Sequence, residues 1–461
     1  MDLQNRLISE LKDRSLFDKA HELGIEYIKN IDSKPVFPSK ESLELLKNFD
    51  HDLRAEGLSA QEILKKFQNS GSPNTIAQIG GRYFGFVNGS AIPASLVIKS
   101  LSVIWDQCGG LYATSPINAK LESVCEKWLI DLFGLPKSTK AGFVSGTSMA
   151  NLAALTAARY HILKNLNWDV NEKGLKGSPN FRIIAHKQTH ASIKKTLAIL
   201  GLGIGNVEWI DADNEGRVDV KSLPNLDNSC IVILQAGNVN SGNFDDFETI
   251  CNIANKCNAW VHIDGAFGLW ARTSSSLSHL TNGMEKADSW AVDGHKTLNT
   301  PYDNGIVMCR HENSFVTSLQ ATGEYLVFSD QRDPILYGPE MSKRSRAFEI
   351  WAAMLSLGKN GIDELVTGLH EIAKKFEDGL SSIGFEICNE VVFNQVLVHY
   401  KDDDSTEKIL RYVQNSGRTW MGGSKWRGRS VIRISVCSWM TTKKDVDEVV
   451  ELFKNGMDSI H

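Results

Sequence analysis

Lys296, in the run Asp293-Gly294-His295-Lys296-Thr297, stands thirty-two residues after Asp264, which ends the apolar run Ala259-Trp260-Val261-His262-Ile263. A lysine amine holds an aldehyde cofactor as a Schiff base where its surroundings keep part of it unprotonated. A carboxylate beside a heterocyclic nitrogen keeps that nitrogen protonated, so the ring accepts electrons from a substrate carbanion. The pairing therefore points to pyridoxal phosphate. Either residue alone is a weak sign, since an Asp after a buried strand often caps a turn and most lysines are solvated. Their place at the ends of two successive predicted strands, with His295 beside the lysine, is what joins them.

Two further motifs fit that chemistry. Val144-Ser145-Gly146-Thr147-Ser148-Met149-Ala150-Asn151 leads from a predicted strand into the apolar helix of Leu152 to Arg159. Glycine and hydroxyl residues at a helix N-terminus offer backbone N–H groups, side-chain donors and the positive end of the helix dipole, which suits a phosphate. A plain Ser or Thr N-cap is the alternative reading. His190, in Lys187-Gln188-Thr189-His190-Ala191-Ser192, directly follows the predicted strand Arg182-Ile183-Ile184-Ala185-His186. An imidazole there can lie on a cofactor ring and move a proton, because histidine titrates near neutrality.

The elements that must position these residues follow from periodicity. Residues 1–75 mix apolar and charged positions at helical spacing, broken by Pro35 and Pro38, and read as an N-terminal helical arm. Glycine-aromatic stretches, Gly80-Gly81-Arg82-Tyr83-Phe84-Gly85-Phe86 and Gly109-Gly110-Leu111-Tyr112, flank a longer helix. Phe84, Phe86 and Tyr112 are aromatic pocket candidates, core packing being the other reading. From 141 to 310 short β-branched runs alternate with helical stretches, the signature of a mainly parallel sheet with crossover helices. Strands are predicted near 141–145, 182–186, 206–210, 230–235, 259–264, 289–293 and 305–309. Ligands of such sheets gather beyond the carboxyl ends of the strands, where the polar residues above fall. The expected organisation is an α/β protein with the arm, a large domain over 76–345 built on a seven-stranded sheet, and a small C-terminal α+β domain over 346–461. In the small domain strands are expected near 395–400 and 431–437.

Composition narrows the partners. Fifty Lys and Arg against fifty-five Asp and Glu give a net charge of −5, with no basic block to track a phosphate backbone, so nucleic acid is excluded. Arg418, Lys425, Arg427 and Arg429 with Trp420 and Trp426 read as a solvated surface loop. No apolar run suggests a membrane span or a secretion signal, and the expected location is the cytoplasm. The eight cysteines form no Cys-x-x-Cys pair and read as buried reduced thiols, and no metal site is expected.

Together these residues resemble the group II pyridoxal-phosphate-dependent amino acid decarboxylases, of the aspartate-aminotransferase-like fold (fold type I). The resemblance runs from Pro93 and Ser115-Pro116 with Leu121-Glu122, through the Ser145 to Asn151 turn, to Ser342-Lys343-Arg344 and the Arg433 strand. His190, Asp264-Gly265-Ala266 and His295-Lys296 are its most specific part. It implies that Gly146, Thr147, Ser148, Asp293 and His295 surround the phosphate, with Ala266 on one ring face and His190 on the other. Asp264 would hold the ring nitrogen and Lys296 the aldehyde carbon. Asn238 stands beside the cofactor where many relatives have Thr. Other departures are Ser145-Gly146-Thr147 for Gly-Gly-Thr, Gly294 for a frequent Pro, Thr297 for a frequent Trp, and Ser342-Lys343-Arg344 for Ser-Arg-Arg.

The resemblance further implies a homodimer with the active site at the interface, and a tyrosine-bearing lid over Glu324-Tyr325 through Tyr337-Gly338-Pro339-Glu340. Tyr337 is its candidate for returning a proton to the α-carbon, with His190 or Lys296 as alternatives. Arg433 resembles the arginine with which transaminases of this fold grip the substrate's α-carboxylate. In a decarboxylase it would bind the encounter complex or a side-chain carboxylate, or stand in a structural ion pair. The expected activity is conversion of an L-amino acid to its amine and carbon dioxide. An aldehyde synthase, an aldolase-type lyase or an aminotransferase of the same fold is the alternative, followed by a non-catalytic binding homologue.

Overall fold

The computed structural model describes residues 3–320, 323 and 326–460. The predicted strands form where the β-branched and apolar residues cluster: β1 Lys140–Val144, β2 Arg182–His186, β3 Val207–Ile210, β4 Cys230–Gln235, β5 Trp260–Asp264, β6 Ser289–Asp293 and β7 Gly305–Cys309. They make one sheet in the order β1-β7-β6-β5-β4-β2-β3. From β6 to β3 every pairing is parallel, whereas β7 runs antiparallel to both β1 and β6. Strands buried on both faces need no alternation of apolar and polar residues. That is why β4, β5, β6 and β7 are buried at every position.

The helix Thr147–Asn165 follows β1 and lies across one face of the sheet. Its alanines 150, 153, 154, 157 and 158 join a buried cluster with Ile183, Ile231, Ile233 and Val307. Small side chains let helix and sheet approach closely, so the helix has an interior rather than amphipathic character. The other face carries Phe143, Trp270, Trp290 and the helix Pro116–Phe133. That helix ends at Gly134 with φ 65°, a left-handed cap that glycine adopts without a Cβ penalty.

A second sheet, in the order β10-β11-β9-β8, is built from β8 Glu386–Ile387, β9 Gln395–His399, β10 Gly422–Trp426 and β11 Arg429–Ser435, all antiparallel. The helix Ala347–Ser382 leads to it and breaks at Gly358. Two expectations are corrected here. The arginine-rich stretch expected as a loop forms β10 and a tight two-residue turn, with Arg427 at φ 48° and Gly428 at φ 79°, the pair of positive values a type I′ hairpin requires. Its charges do face solvent and pair, Lys425 with Asp403 at 3.0 Å and Arg427 with Glu215 at 3.0 Å, but Trp426 is buried.

Phe84 is the second correction. Its backbone N–H donates to the Trp420 carbonyl at 2.8 Å and its carbonyl accepts from Ser435 N–H at 3.0 Å, so this segment joins the small sheet. The fully buried ring meets Phe376 edge-on at 5.0 Å. Phe84 is thus part of the core packed around the small sheet, because an apolar ring with no polar atom gains most where it is fully enclosed. The cysteines are all unpaired thiols, five of them buried, whereas Cys108 is exposed and Cys257 and Cys388 are half-buried. No helix among the described residues is long and apolar enough to cross a membrane.

Candidate active site

The carboxyl ends of β1, β2, β5 and β6 open onto a cavity of about 460 Å³, within the range of small-molecule sites. Gly146, Thr147, Ser148, His190, Ala266, Asp293, His295 and Lys296 line it. Eight positions scattered over 150 residues therefore converge. Met149, Leu152 and Ile199 add an apolar wall, and Tyr302 closes one side.

Asp293, the last residue of β6, organises the lysine loop. One of its oxygens accepts the Thr147 backbone N–H at 2.7 Å. The other lies 3.1 Å from Lys296 Nζ and 3.6 Å from His295 Nε2. His295 Nδ1 accepts the Asn304 N–H at 3.0 Å, so the ring proton sits on Nε2 and points towards Asp293. Burial holds the His295 pKa below its ordinary value, opposed by the Asp293 charge. Gly294 N–H donates to the Asn304 carbonyl at 2.9 Å, a bond that a proline at this position could not make.

At the start of the helix Thr147–Asn165, Gly146 provides no side-chain cap, and Thr147 Oγ1 is buried without a hydrogen-bond partner among the described residues. A helix N-terminus whose cap residue has no side chain, with only Thr147 N–H taken up by Asp293 and an orphaned hydroxyl nearby, is suited to an anionic ligand. These donors fit the phosphate of pyridoxal phosphate, and the adjacent lysine amine fits its aldehyde.

Asp264 ends β5 and is buried. Its carboxylate accepts Asn151 Nδ2–H at 3.0 Å and the Ala266 N–H at 3.3 Å. Burial pushes its pKa up, while the charges of His190 and Lys296 and the Asn151 bond oppose this. His190 caps the helix Ala191–Ile199, its Nδ1 accepting Ser192 N–H at 3.2 Å and meeting Ser192 Oγ at 2.7 Å. The proton therefore sits on Nε2. The ring opens to the cavity, yet desolvation lowers its pKa, with the Asp264 charge pulling the other way.

Arg433 of β11 is half-buried and donates to the Val239 carbonyl at 3.1 Å. Its charge is felt at His190, and no carboxylate among the described residues pairs with it. Among the described residues a structural ion pair therefore does not account for this side chain.

Besides Phe84, three expected site residues lie elsewhere. Asn238 is buried with Oδ1 accepting Asn240 N–H at 2.9 Å and Ser241 N–H at 3.3 Å; it caps its own turn, so its side chain is spent. Phe86 is 61% exposed and stacks on Trp420 at 5.5 Å. Tyr337 packs under Arg332 at 4.1 Å and beside Phe315, outside the cavity. A Cβ at Gly142 would come within 1.7 Å of the Tyr337 carbonyl, which shows how closely this segment lies on β1. Tyr325 and Glu324 of the expected lid lie outside the described residues.

What holds that segment is a buried charge cluster: Arg332 meets Glu122 at 3.1 Å and Glu126 at 2.8 Å, and Lys343 lies 3.6 Å from Glu122. Arg344 and Arg346 both reach Asp303, at the far end of the lysine loop. Tyr302, whose ring lies 4.1 Å from that of His295, was not singled out from the sequence. Asn151 was quoted in its motif without a role. Neither carries a local signal beyond its proximity to one.

Comparison with known proteins agrees with this geometry. The family model for the pyridoxal-dependent decarboxylase conserved domain matches residues 49–401. An aromatic-L-amino-acid decarboxylase of Bacillus atrophaeus is 25% identical over 475 residues, covering 98% of this chain and 96% of the relative. A phenylacetaldehyde synthase of a Rosa hybrid cultivar is 24% identical, covering 94% and 92%. Among solved structures, Oryza sativa TDC with PLP and tryptamine superposes with a TM-score of 0.88 at 21% identity, covering 97% of this chain and 98% of that one.

Proposed function

The chain belongs to the pyridoxal-dependent decarboxylase family and is a pyridoxal-phosphate-dependent carboxy-lyase of amino acids; within that activity we propose that its substrate is an aromatic L-amino acid. The observation that carries the substrate class is the apolar wall of Met149, Leu152 and Ile199 beside the Tyr302 ring. A large flat side chain gains most from such a surface. The Bacillus relative is named for aromatic amino acids, which supports the same reading.

When bound, pyridoxal phosphate supplies the electron sink for the pair of electrons that the departing carboxylate leaves behind. The chain's own residues supply the rest. Lys296 Nζ would hold the aldehyde carbon. Thr147, Ser148 and His295 would hold the phosphate, Ala266 and His190 would flank the ring, and Asp264 would hold its nitrogen. Arg433 grips the α-carboxylate on arrival through its free guanidinium edge. Lys296 Nζ and His190 are the chain's candidates for returning a proton to the α-carbon, since Tyr337 packs outside the cavity.

The working form is a cytoplasmic homodimer whose interface completes the site. Val97, Val103, Ile104 and Trp105 of the helix Pro93–Trp105, and Leu3, Leu7 and Leu11 of the arm, are exposed on this chain. Apolar side chains left exposed in such number suit a face that a second copy covers.

Screening the twenty common amino acids for released carbon dioxide, with identification of the organic product, tests the reading. Tryptophan, tyrosine or phenylalanine should exceed glutamate and aspartate at least about tenfold, roughly 1.4 kcal/mol of discrimination, and yield the amine. Equal turnover of an acidic substrate would overturn it. The name of the Rosa relative favours one second reading, in which the amino acid with dioxygen and water yields an aldehyde, ammonia, carbon dioxide and hydrogen peroxide in place of the amine; the same product analysis separates the two.

A further inference from the structure

A run of hydrogen bonds leaves Asp264 and passes into the interior of the large sheet. Asn151 Nδ2 donates to Asp264 Oδ2 at 3.0 Å, and Asn151 Oδ1 meets His262 Nε2 at 2.9 Å. His262 Nδ1 meets Ser289 Oγ at 2.9 Å, and Ser289 Oγ accepts from Trp260 Nε1 at 3.1 Å. The five residues come from the helix Thr147–Asn165 and from β5 and β6. None is more than 4% exposed.

The chemistry of the two ends fixes the direction of every bond between them. An indole N–H only donates, and a carboxylate only accepts. Ser289 Oγ accepts the Trp260 N–H and donates its own hydrogen to His262 Nδ1. The imidazole proton is thereby forced onto Nε2, which donates to Asn151 Oδ1. With its oxygen occupied, the Asn151 amide turns its N–H to Asp264. No single member reverses without setting two donors or two acceptors against each other in a dry interior, where an unmade hydrogen bond is costly. Burial also drives the His262 pKa down to about 3, so the ring keeps one proton at ordinary pH.

We infer that Trp260, Ser289, His262 and Asn151 form a one-way hydrogen-bond chain that fixes a donor on Asp264 and thereby keeps that buried group ionised opposite the cofactor's ring nitrogen. This rests on the reading of Asp264 given above. His262 and Ser289 are positioning residues, acting through Asn151, and reach no substrate or cofactor themselves. Neutral hydrogen-bonded side chains suit this place because a second charge so deep in the sheet would need a partner of its own. If the chain breaks, the Asn151 amide is free to present its carbonyl to Asp264. The carboxylate then loses a donor that favours its charged form.

The tautomer is the direct readout and needs no cofactor. Histidine-selective 15N NMR of the full-length protein, with and without pyridoxal phosphate, should show His262 as the neutral Nε2–H form, assigned by its loss in His262→Leu. Titration of the apoprotein with pyridoxal phosphate, followed by absorbance, should show about tenfold weaker binding for Ser289→Ala and His262→Leu. The pH at which the bound cofactor's spectrum titrates should shift in the same two variants. Ser289→Thr keeps the hydroxyl, and His262→Gln keeps a donor towards Asn151 with an acceptor towards Ser289, so both should restore affinity and spectrum. An Nδ1–H tautomer in the unaltered protein overturns the proposal even if the variants do not fold. So does a Ser289→Ala protein that melts earlier but binds the cofactor with unchanged affinity and pH profile, since that is a merely structural role. If the unaltered protein takes up no cofactor at all, the reading of Asp264 fails first and this inference falls with it.

Discussion

Gly305 opens β7 directly opposite Asp293, and its missing side chain is what lets the Gly146 turn sit where it does. A Cβ built at residue 305 would stand 2.4 Å from the Gly146 Cα and 2.5 Å from its carbonyl carbon. Ordinary carbon contacts begin near ~3.5 Å, so Gly305→Ala must push one backbone off the other by about 1 Å. Both backbones are tied, Gly305 by the β1 and β6 ladders and the Gly146 turn by the Thr147 N–H on Asp293. Binding constellations tolerate roughly 0.5 Å of error, and a displacement of about 1 Å costs on the order of 100-fold. The cofactor's dissociation constant should therefore rise about 100-fold, near 2.7 kcal/mol. Overpacking should cost a further ~1–3 kcal/mol of stability. Absorbance titration of the apoprotein measures the first quantity and urea unfolding the second. Gly205→Ala, where an added methyl meets nothing within 4 Å, is the control. A Gly305→Ala protein that binds pyridoxal phosphate within twofold of the unaltered one would refute the assignment of the Gly146 turn to the phosphate.

Arg433→Met should raise KM for the amino acid about tenfold or more, roughly 1.4 kcal/mol, while the melting temperature holds or rises; steady-state kinetics and a thermal scan give both. Phe84→Ala should cost about 3–5 kcal/mol in denaturant unfolding, as truncation of a buried aromatic does, without changing the cofactor bound per chain. Acid sensitivity should set in early. Burial depresses the folded-state pKa of His161 to about 4 and that of His262 to about 3, below the unfolded value near ~6.5. A depressed pKa means that the unfolded chain takes up protons first, so the stability is complete above about pH 6.5 and is lost as pH falls through the folded values. Melting temperature should thus decline between pH 6.5 and 4, and His161→Phe should flatten that slope.

The strands of the large sheet were legible because apolar runs bounded by turn residues carry their own signal, and each lies within a residue or so of its expected place. The convergence of Thr147, His190, Ala266, His295 and Lys296 on one cavity was legible for the same reason: each follows a strand whose carboxyl end faces one way. Side-chain fates decided by distant partners were not. Phe84 is core because Phe376, almost three hundred residues later, receives it. Asn238 looked available until its own turn claimed its oxygen and the distant Gly216 carbonyl its amide. Tyr337 is turned away by Arg332, itself fixed by Glu122 and Glu126 from a helix two hundred residues earlier. The β10 strand has no alternation to reveal it, since Gly422-Gly423-Ser424-Lys425 offers no apolar face. The chain from Trp260 to Asn151 joins residues up to 111 positions apart, and no local pattern marks such a link.

The segment that carries Lys296 leaves the sheet at Asp293 and returns at Gly305, residues that face each other across the β6 and β7 ladder. Its internal ties, such as Thr300 N–H to the Gly294 carbonyl at 3.1 Å and Asn299 Nδ2 to the Thr297 carbonyl at 2.8 Å, begin and end within it. Other ties leave it: Thr297 Oγ1 donates to the Phe267 carbonyl at 2.8 Å, Asn299 Nδ2 to the Cys437 carbonyl at 3.0 Å, and the Asn299 carbonyl accepts Ile92 N–H at 2.7 Å. The lysine is thus carried on a strap moored along its length to three distant parts of the chain, so a change at Thr297 or Asn299 is felt well away from the amine it serves.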